Sequence, residues 1–159
     1  VGSEMCIRDS NAFTKFYAMA GLRLGYLMTG DLSLLHAVAQ QLPEWNVSSI
    51  AQRAGISALQ DTEYEKRTRQ LIEKERRYLI QEFLKMGCTV FPSEADYITF
   101  RLPQEKTGFL LKERLLEGKI LIRSCANYRN MPPDCYRIAV KQHADNEELV
   151  RQVWRILIQ

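Results

Sequence analysis

The spacing of apolar residues divides the chain into stretches of different texture. From Leu22 to Met28 they run almost unbroken and stop at Thr29-Gly30-Asp31, which predicts a buried strand followed by a turn. Asp31 is placed to cap a helix that carries Leu32, Leu35, Val38, Ala39 and Leu42 on one stripe, and Pro43 ends it. Asn46 is placed to cap a second, shorter helix through Val47, Ile50, Ala51 and Ala54, with Gly55 a point where it could break. Asp61 to Met86 reads as one long helix. Leu71, Ile72, Leu79, Phe83 and Met86 form its apolar face, and Gly87 stands where a terminating glycine belongs. Glu63/Arg67, Glu65/Arg69 and Glu73/Arg77 are spaced i,i+4 in the favourable acid-first order, so the charged remainder reads as a solvated face.

Beyond Gly87 the texture changes. Thr89-Phe91, Tyr97-Arg101, Ile120-Arg123 and Tyr136-Val140 are rich in β-branched and aromatic residues and predict short strands. Lys106 to Glu117 and Asn146 to Leu157 carry apolar residues at helical spacing: Phe109, Leu110, Leu111, Leu115 and Leu116 in the first, Leu149, Val150, Val153, Trp154 and Leu157 in the second. The order β, β, α, β, β, α describes a small α+β body, and the long helix before it is expected to link it to another. The first ten residues, Val1 to Ser10, follow neither period and contain no apolar signal region. They are expected to be a leader outside the fold, of the kind a truncation scar leaves.

Composition narrows the class without naming a function. The chain has 159 residues, 46% hydrophobic and 26% charged, which is ordinary for a globular protein. A net charge of +3 with no clustered basic stretch argues against nucleic acid as a partner. No apolar run is long enough for a membrane span. The cysteines Cys6, Cys88, Cys125 and Cys135 show no metal-ligand or paired spacing, so reduced thiols in a cytoplasmic protein and no metal are expected. His36 and His143 read as surface or packing residues.

The chemistry lies in Ala12-Phe-Thr-Lys15-Phe-Tyr-Ala-Met-Ala-Gly21-Leu-Arg23-Leu-Gly25. A lysine among apolar neighbours and near other cations favours its neutral, nucleophilic amine. Arg23 sits between two glycines that let backbone approach closely, and its planar fork suits a phosphate. Thr14 adds a hydroxyl. An imine-forming lysine beside an arginine and a hydroxyl is the set that pyridoxal 5'-phosphate requires. The run resembles the lysine signature of the fold-type-I pyridoxal-phosphate enzymes of aminotransferase class I/II, [GS]-x-[ST]-K-x2-[small]-x2-G-x-R-x-G. Ala12 replaces the first Gly or Ser and removes one hydroxyl from the phosphate site.

That resemblance implies an α/β fold: the end of a large cofactor-binding domain over residues 11–60, a connecting helix over 61–86, and a small C-terminal domain over 87–159. It also implies that Lys15 holds pyridoxal phosphate and that Thr14 and Arg23 hold its phosphate. The runs Thr14 to Leu27, Leu42 to Gly55, Phe91 to Leu102, Gly118 to Asn130 and Tyr136 to Lys141 are similar to those of the threonine-phosphate decarboxylases of cobalamin biosynthesis, siblings of the histidinol-phosphate aminotransferases. In that likeness Arg137 holds the substrate carboxylate and Arg123 is a second substrate-binding arginine. Each falls at the edge of a short strand, where a rigid element can aim it. Asn127 and Tyr128 are weaker loop contributors, and Cys125 reads as a small packing residue near the site. The substrate implied is a small phosphorylated amino acid, and the implied assembly is a homodimer. Transamination of a phosphorylated substrate is the alternative reaction, and the sensor domain of a transcription regulator the non-enzymatic one. The family's remaining cofactor groups precede the lysine: an Asp for the ring nitrogen, an Asn and a Tyr near the ring oxygen, a stacking aromatic and a first phosphate loop. Without them this stretch is expected to be inactive and to leave an apolar surface open.

Overall fold

A computed structural model of the chain describes residues 8–106, 108 and 110–158. It forms two compact units, one up to Lys66 and one from Arg67 onward, with the division inside the long helix.

In the first unit β1 (Arg8–Ala12) pairs antiparallel with β2 (Gly25–Thr29), Ala12 opposite Gly25 and Arg8 opposite Thr29. Arg8, Asp9 and Ser10 therefore lie in a strand, although the sequence assigned them to a leader; residues 1–7, including Cys6, lie outside the described residues. The reason is partner-driven. A polar strand without a period of its own is recruited by the regular backbone of its neighbour. The expected buried strand over Leu22–Met28 is corrected in two ways. Ala20–Leu22 form a 3-10 turn, and β2 is largely exposed, with Met28 at 60%. A two-stranded ribbon covers only one of its own faces.

Two helices follow. α1 (Leu32–Gln41) starts as expected, with Asp31 Oδ1 accepting from the Leu34 amide at 3.0 Å. Its apolar stripe is only partly covered: Leu35 and Val38 are half-buried, while Leu32 and Leu42 are exposed. α2 (Ser49–Gln60) is capped by Ser48, whose Oγ accepts from the Ala51 amide at 3.2 Å, and not by Asn46. Nor does Gly55 break it. A Cβ there would meet Leu24 Cδ2 at 2.5 Å, so this glycine lets the helix lie against the chain beside β2. Ala51 and Phe13 are buried in the same unit. Trp45, Ile50, Ile56 and Leu59 remain exposed.

α3 (Thr62–Lys85) runs the length predicted for it, with Asp61 Oδ1 accepting from the Tyr64 amide at 2.8 Å. Its end is a Schellman turn: Cys88 N–H donates to Phe83 O and Gly87 N–H to Leu84 O, with Gly87 at φ +78°. The second unit then builds the antiparallel sheet β3-β4-β6-β5 from β3 (Thr89–Val90), β4 (Tyr97–Arg101), β5 (Arg123–Ser124) and β6 (Cys135–Ala139). α4 (Leu111–Glu117) and α5 (His143–Ile158) complete it. The predicted order holds, with shifted bounds. α4 starts only at Leu111, because Gly108 at φ +80° cannot continue a helix back to Lys106. Phe109 lies outside the described residues. α5 starts one turn earlier than expected. The strand over Ile120–Arg123 shrinks to Arg123–Ser124, because Ile120 N–H closes the end of α4 on Leu115 O.

The core of this unit joins Leu79 and Phe83 of α3, Ile98 and Phe100 of β4, Tyr136 and Ile138 of β6, Leu111 and Leu115 of α4 and Val150 and Val153 of α5. Strand side chains alternate between faces. Tyr97, Thr99 and Arg101, with Cys135, Arg137 and Ala139, therefore project from the sheet face away from that core.

Candidate active site

The residues proposed for chemistry fall into two sets, one in each unit. The first is carried by the excursion between β1 and β2. Past the Ala12–Gly25 pair the ladder takes one more step, Phe13 N–H to Leu24 O at 3.1 Å, which leaves Thr14 and Arg23 as the next residues on either side. The loop between them closes on itself. Ala18 N–H donates to Lys15 O at 3.0 Å, Met19 N–H to Phe13 O at 3.2 Å and Leu22 N–H to Met19 O at 3.3 Å. Two of its residues, Ala18 at φ +54° and Arg23 at φ +53°, hold the left-handed conformation without being glycine. Gly25 is needed at the mouth of the loop, since a Cβ there would come 2.9 Å from Asn11 O, a backbone atom with nowhere to go.

Lys15 is exposed, Thr14 half-buried and Arg23 exposed, with one guanidinium nitrogen donating to Ala20 O at 3.3 Å. The apolar enclosure expected around the lysine is thus only partial. Phe13 is buried, and Phe16 and Tyr17 are half-buried beside it. An amine, a guanidinium and a hydroxyl held on one short, internally bonded loop make a donor set that fits an aldehyde and a phosphate.

The second set lies on the sheet of the other unit. Arg123 of β5 stands directly opposite Arg137 of β6. Arg137 Cζ lies 4.8 Å from the centroid of the Tyr97 ring, and Arg123 Cζ lies 5.8 Å from that of Tyr128. Cys125, two residues after Arg123, is fully buried. Burial pushes its thiol up, while the positive charges of Arg137 and Arg123 pull it part of the way back, so both arginines act on one atom. A thiol held protonated packs and does not attack. Among the described cysteines, Cys88, Cys125 and Cys135 are free and buried.

The sequence pointed to both arginines but not to Tyr97, which lies in a strand whose aromatic residues read equally well as packing. His36 is exposed, and His143 sits beside Glu75 rather than a metal; no metal-binding cluster occurs among the described residues. No helix among them is long and apolar enough to cross a membrane.

Residues 10–153 match the family Aminotransferase class I and II. The chain belongs to that family. Pyridoxal phosphate is its cofactor. Among curated members, the chain is 37% identical over 147 residues to a threonine-phosphate decarboxylase of Salmonella typhimurium, covering 92% of this chain and 40% of that one. It is 34% identical over 147 residues to a histidinol-phosphate aminotransferase of Oleidesulfovibrio alaskensis, covering 91% and 38%. The crystal structure of a histidinol-phosphate aminotransferase from Clostridium acetobutylicum superposes with a TM-score of 0.91 at 31% identity, over 97% of this chain and 46% of that one. The chain therefore spans about two fifths of the length of the curated class I and II aminotransferases it matches.

Proposed function

We propose that the chain is the C-terminal part of a pyridoxal-phosphate-dependent carboxy-lyase that converts L-threonine O-3-phosphate to aminopropanol phosphate. One observation carries the reading: two arginines stand in register on neighbouring strands, on the sheet face away from the core. Like charges directly opposite on neighbouring strands destabilise a sheet, so their placement calls for an anionic ligand. A phosphorylated amino acid has two anionic ends and would use both. The likeness to a threonine-phosphate decarboxylase at 37% identity supports this choice over the aminotransferase.

When bound, pyridoxal phosphate supplies an electron sink for the bond broken at Cα. Lys15 Nζ is the amine that holds its aldehyde, and Arg23 with Thr14 holds its phosphate. Arg137 grips the substrate carboxylate, and Arg123 shares the carboxylate and the substrate phosphate. Two fixed anionic ends set the rotation about Cα and so choose the bond presented for cleavage. Presenting the carboxylate would favour loss of CO2 with return of a proton to Cα, and presenting the hydrogen would favour amino transfer. Aminotransfer to a phosphorylated substrate is thus a second outcome of the same set, favoured by the 34% likeness to a histidinol-phosphate aminotransferase.

The test is to supply L-threonine O-3-phosphate to the full-length protein that carries this chain and to follow CO2 release and keto-acid formation side by side. CO2 in excess is expected. Keto acid alone would assign the aminotransferase reaction. In Arg137→Ala the remaining turnover should shift away from CO2, and an unchanged product ratio in both Arg123→Ala and Arg137→Ala would overturn the arginine roles.

A further inference from the structure

The loop that bears Lys15 does not hold its shape alone. Lys15 to Ala18 form a turn closed by the Ala18 amide, and Ala18 lies in a backbone region that costs a non-glycine residue energy. Such a conformation persists only where surrounding structure fixes it. The fixing group comes from far along the chain. Tyr64 Oη donates to Phe16 O at 2.9 Å, across a separation of 48 residues. The Tyr64 ring stacks on Tyr17 with centroids 6.0 Å apart and meets Phe16 edge-on at 6.2 Å. Tyr17 in turn stacks on Phe13 at 5.1 Å. Tyr64 is itself anchored, since its amide is the one that Asp61 caps at the start of α3.

The carbonyl that accepts from Tyr64 is that of Phe16, so the bond fixes the Phe16–Tyr17 peptide, the central one of the turn that begins at Lys15. We infer that Tyr64 is a positioning residue for Lys15. Its hydroxyl and ring lock the Lys15–Ala18 turn to the first turn of α3 and so fix the direction in which Nζ is presented. The inference rests on Lys15 being the cofactor-bearing amine. The locking of the turn does not, and the two are tested apart.

The experiment compares wild type, Tyr64→Phe and Tyr64→Leu in the full-length protein. Tyr64→Phe keeps both ring contacts and removes only the hydroxyl. Without cofactor, hydrogen exchange at the Ala18 and Met19 amides should rise roughly fivefold in Tyr64→Phe, the order expected from one neutral hydrogen bond, and further in Tyr64→Leu. The melting temperature of Tyr64→Phe should stay within a few degrees of wild type. With added pyridoxal phosphate, borohydride trapping and peptide mapping should give slower labelling of Lys15 in Tyr64→Phe, in step with the exchange rates. Unchanged exchange and unchanged labelling in Tyr64→Phe would overturn the inference. So would a lowered melting temperature with Lys15 labelled at the wild-type rate, since that describes packing alone. Should wild type be labelled at a different lysine, the assignment of Lys15 falls, and the exchange data then judge the turn lock alone.

Discussion

Arg123 and Arg137 are register partners on adjacent antiparallel strands, each with an aromatic ring beside its guanidinium. Like charges in register on neighbouring strands oppose stability. Replacing exposed Arg123 with Gln removes the repulsion, so the protein without ligands should gain up to about 0.5 kcal/mol, and the gain should shrink as salt screens the pair. Urea unfolding at low and high ionic strength measures it. A loss of stability at low salt would show that the two charges are not in conflict.

The same pair should dominate substrate use. Arg137→Ala in the full-length protein should lower kcat/KM by about 2–4 kcal/mol of transition-state binding, the range for losing one partner of a charge-assisted contact. Cofactor absorbance should be unaffected. Steady-state kinetics and the visible spectrum check both halves, and an unaltered kcat/KM would place the substrate elsewhere.

Arg23 and Thr14 are expected to divide the cofactor phosphate unequally. A forked, charge-assisted contact contributes about 1.5–3 kcal/mol, a neutral hydroxyl about 0.5–1.5. Arg23→Ala should therefore weaken retention of pyridoxal phosphate by roughly ten- to hundred-fold, more than Thr14→Ala does. Equilibrium dialysis decides, and equal retention by wild type and Arg23→Ala would remove Arg23 from the site.

Much of this was legible in the sequence because it rests on local signals. The Lys15 to Gly25 run, the Asp31 cap and the Gly87 stop each depend on residues a few positions apart. The order of strands and helices after Gly87 follows from hydrophobic spacing. What escaped depends on partners far apart in the chain. Tyr64 looks like one more residue of a charged helix, and only the fold brings its hydroxyl to Phe16. Arg8 to Ser10 have no strand pattern, and β2 supplies one. Glu75 sits in a run of charges that reads as a solvated face, yet it is fully buried.

Glu75 makes stability depend on pH. Asn146 Nδ2 donates to its Oε2 at 3.0 Å, His143 Nδ1 lies 3.0 Å from the same oxygen, and Oε1 is buried with no partner among the described residues. Burial pushes this carboxyl up. The hydrogen bonds from Asn146 and His143, with the positive charges of His143 and Lys74, outweigh it and leave the group below its ordinary value. A carboxyl depressed in the folded state adds stability above its unfolded value and loses that contribution as pH falls through the folded one. The advantage of wild type over Glu75→Gln should therefore be present above about pH 4.5 and shrink as pH falls below it. Urea titrations across that range test it, and a constant gap would refute the linkage. Asn146→Ala strips one donor from the buried carboxylate and should cost about 1–3 kcal/mol at neutral pH.

Gly55 and Leu24 should prove coupled. Glycine within a helix is less favourable than alanine by about 0.8–1.0 kcal/mol, so Gly55→Ala would stabilise α2 in an open position. Here the added methyl meets Leu24 Cδ2 at 2.5 Å, while Phe13 Cζ at 3.7 Å is in ordinary contact. Leu24 must turn away from its packed rotamer, and overpacking of this kind costs about 1–3 kcal/mol. The single variant should thus be neutral to destabilising. In a Leu24→Ala background the obstruction is gone, and the same change should become stabilising by about 0.5–1 kcal/mol, the helix term alone. A double-mutant cycle by urea unfolding measures the difference. Additive effects would mean that Leu24 does not restrict the residue at position 55, and that another contact explains why this helix carries a glycine at its centre.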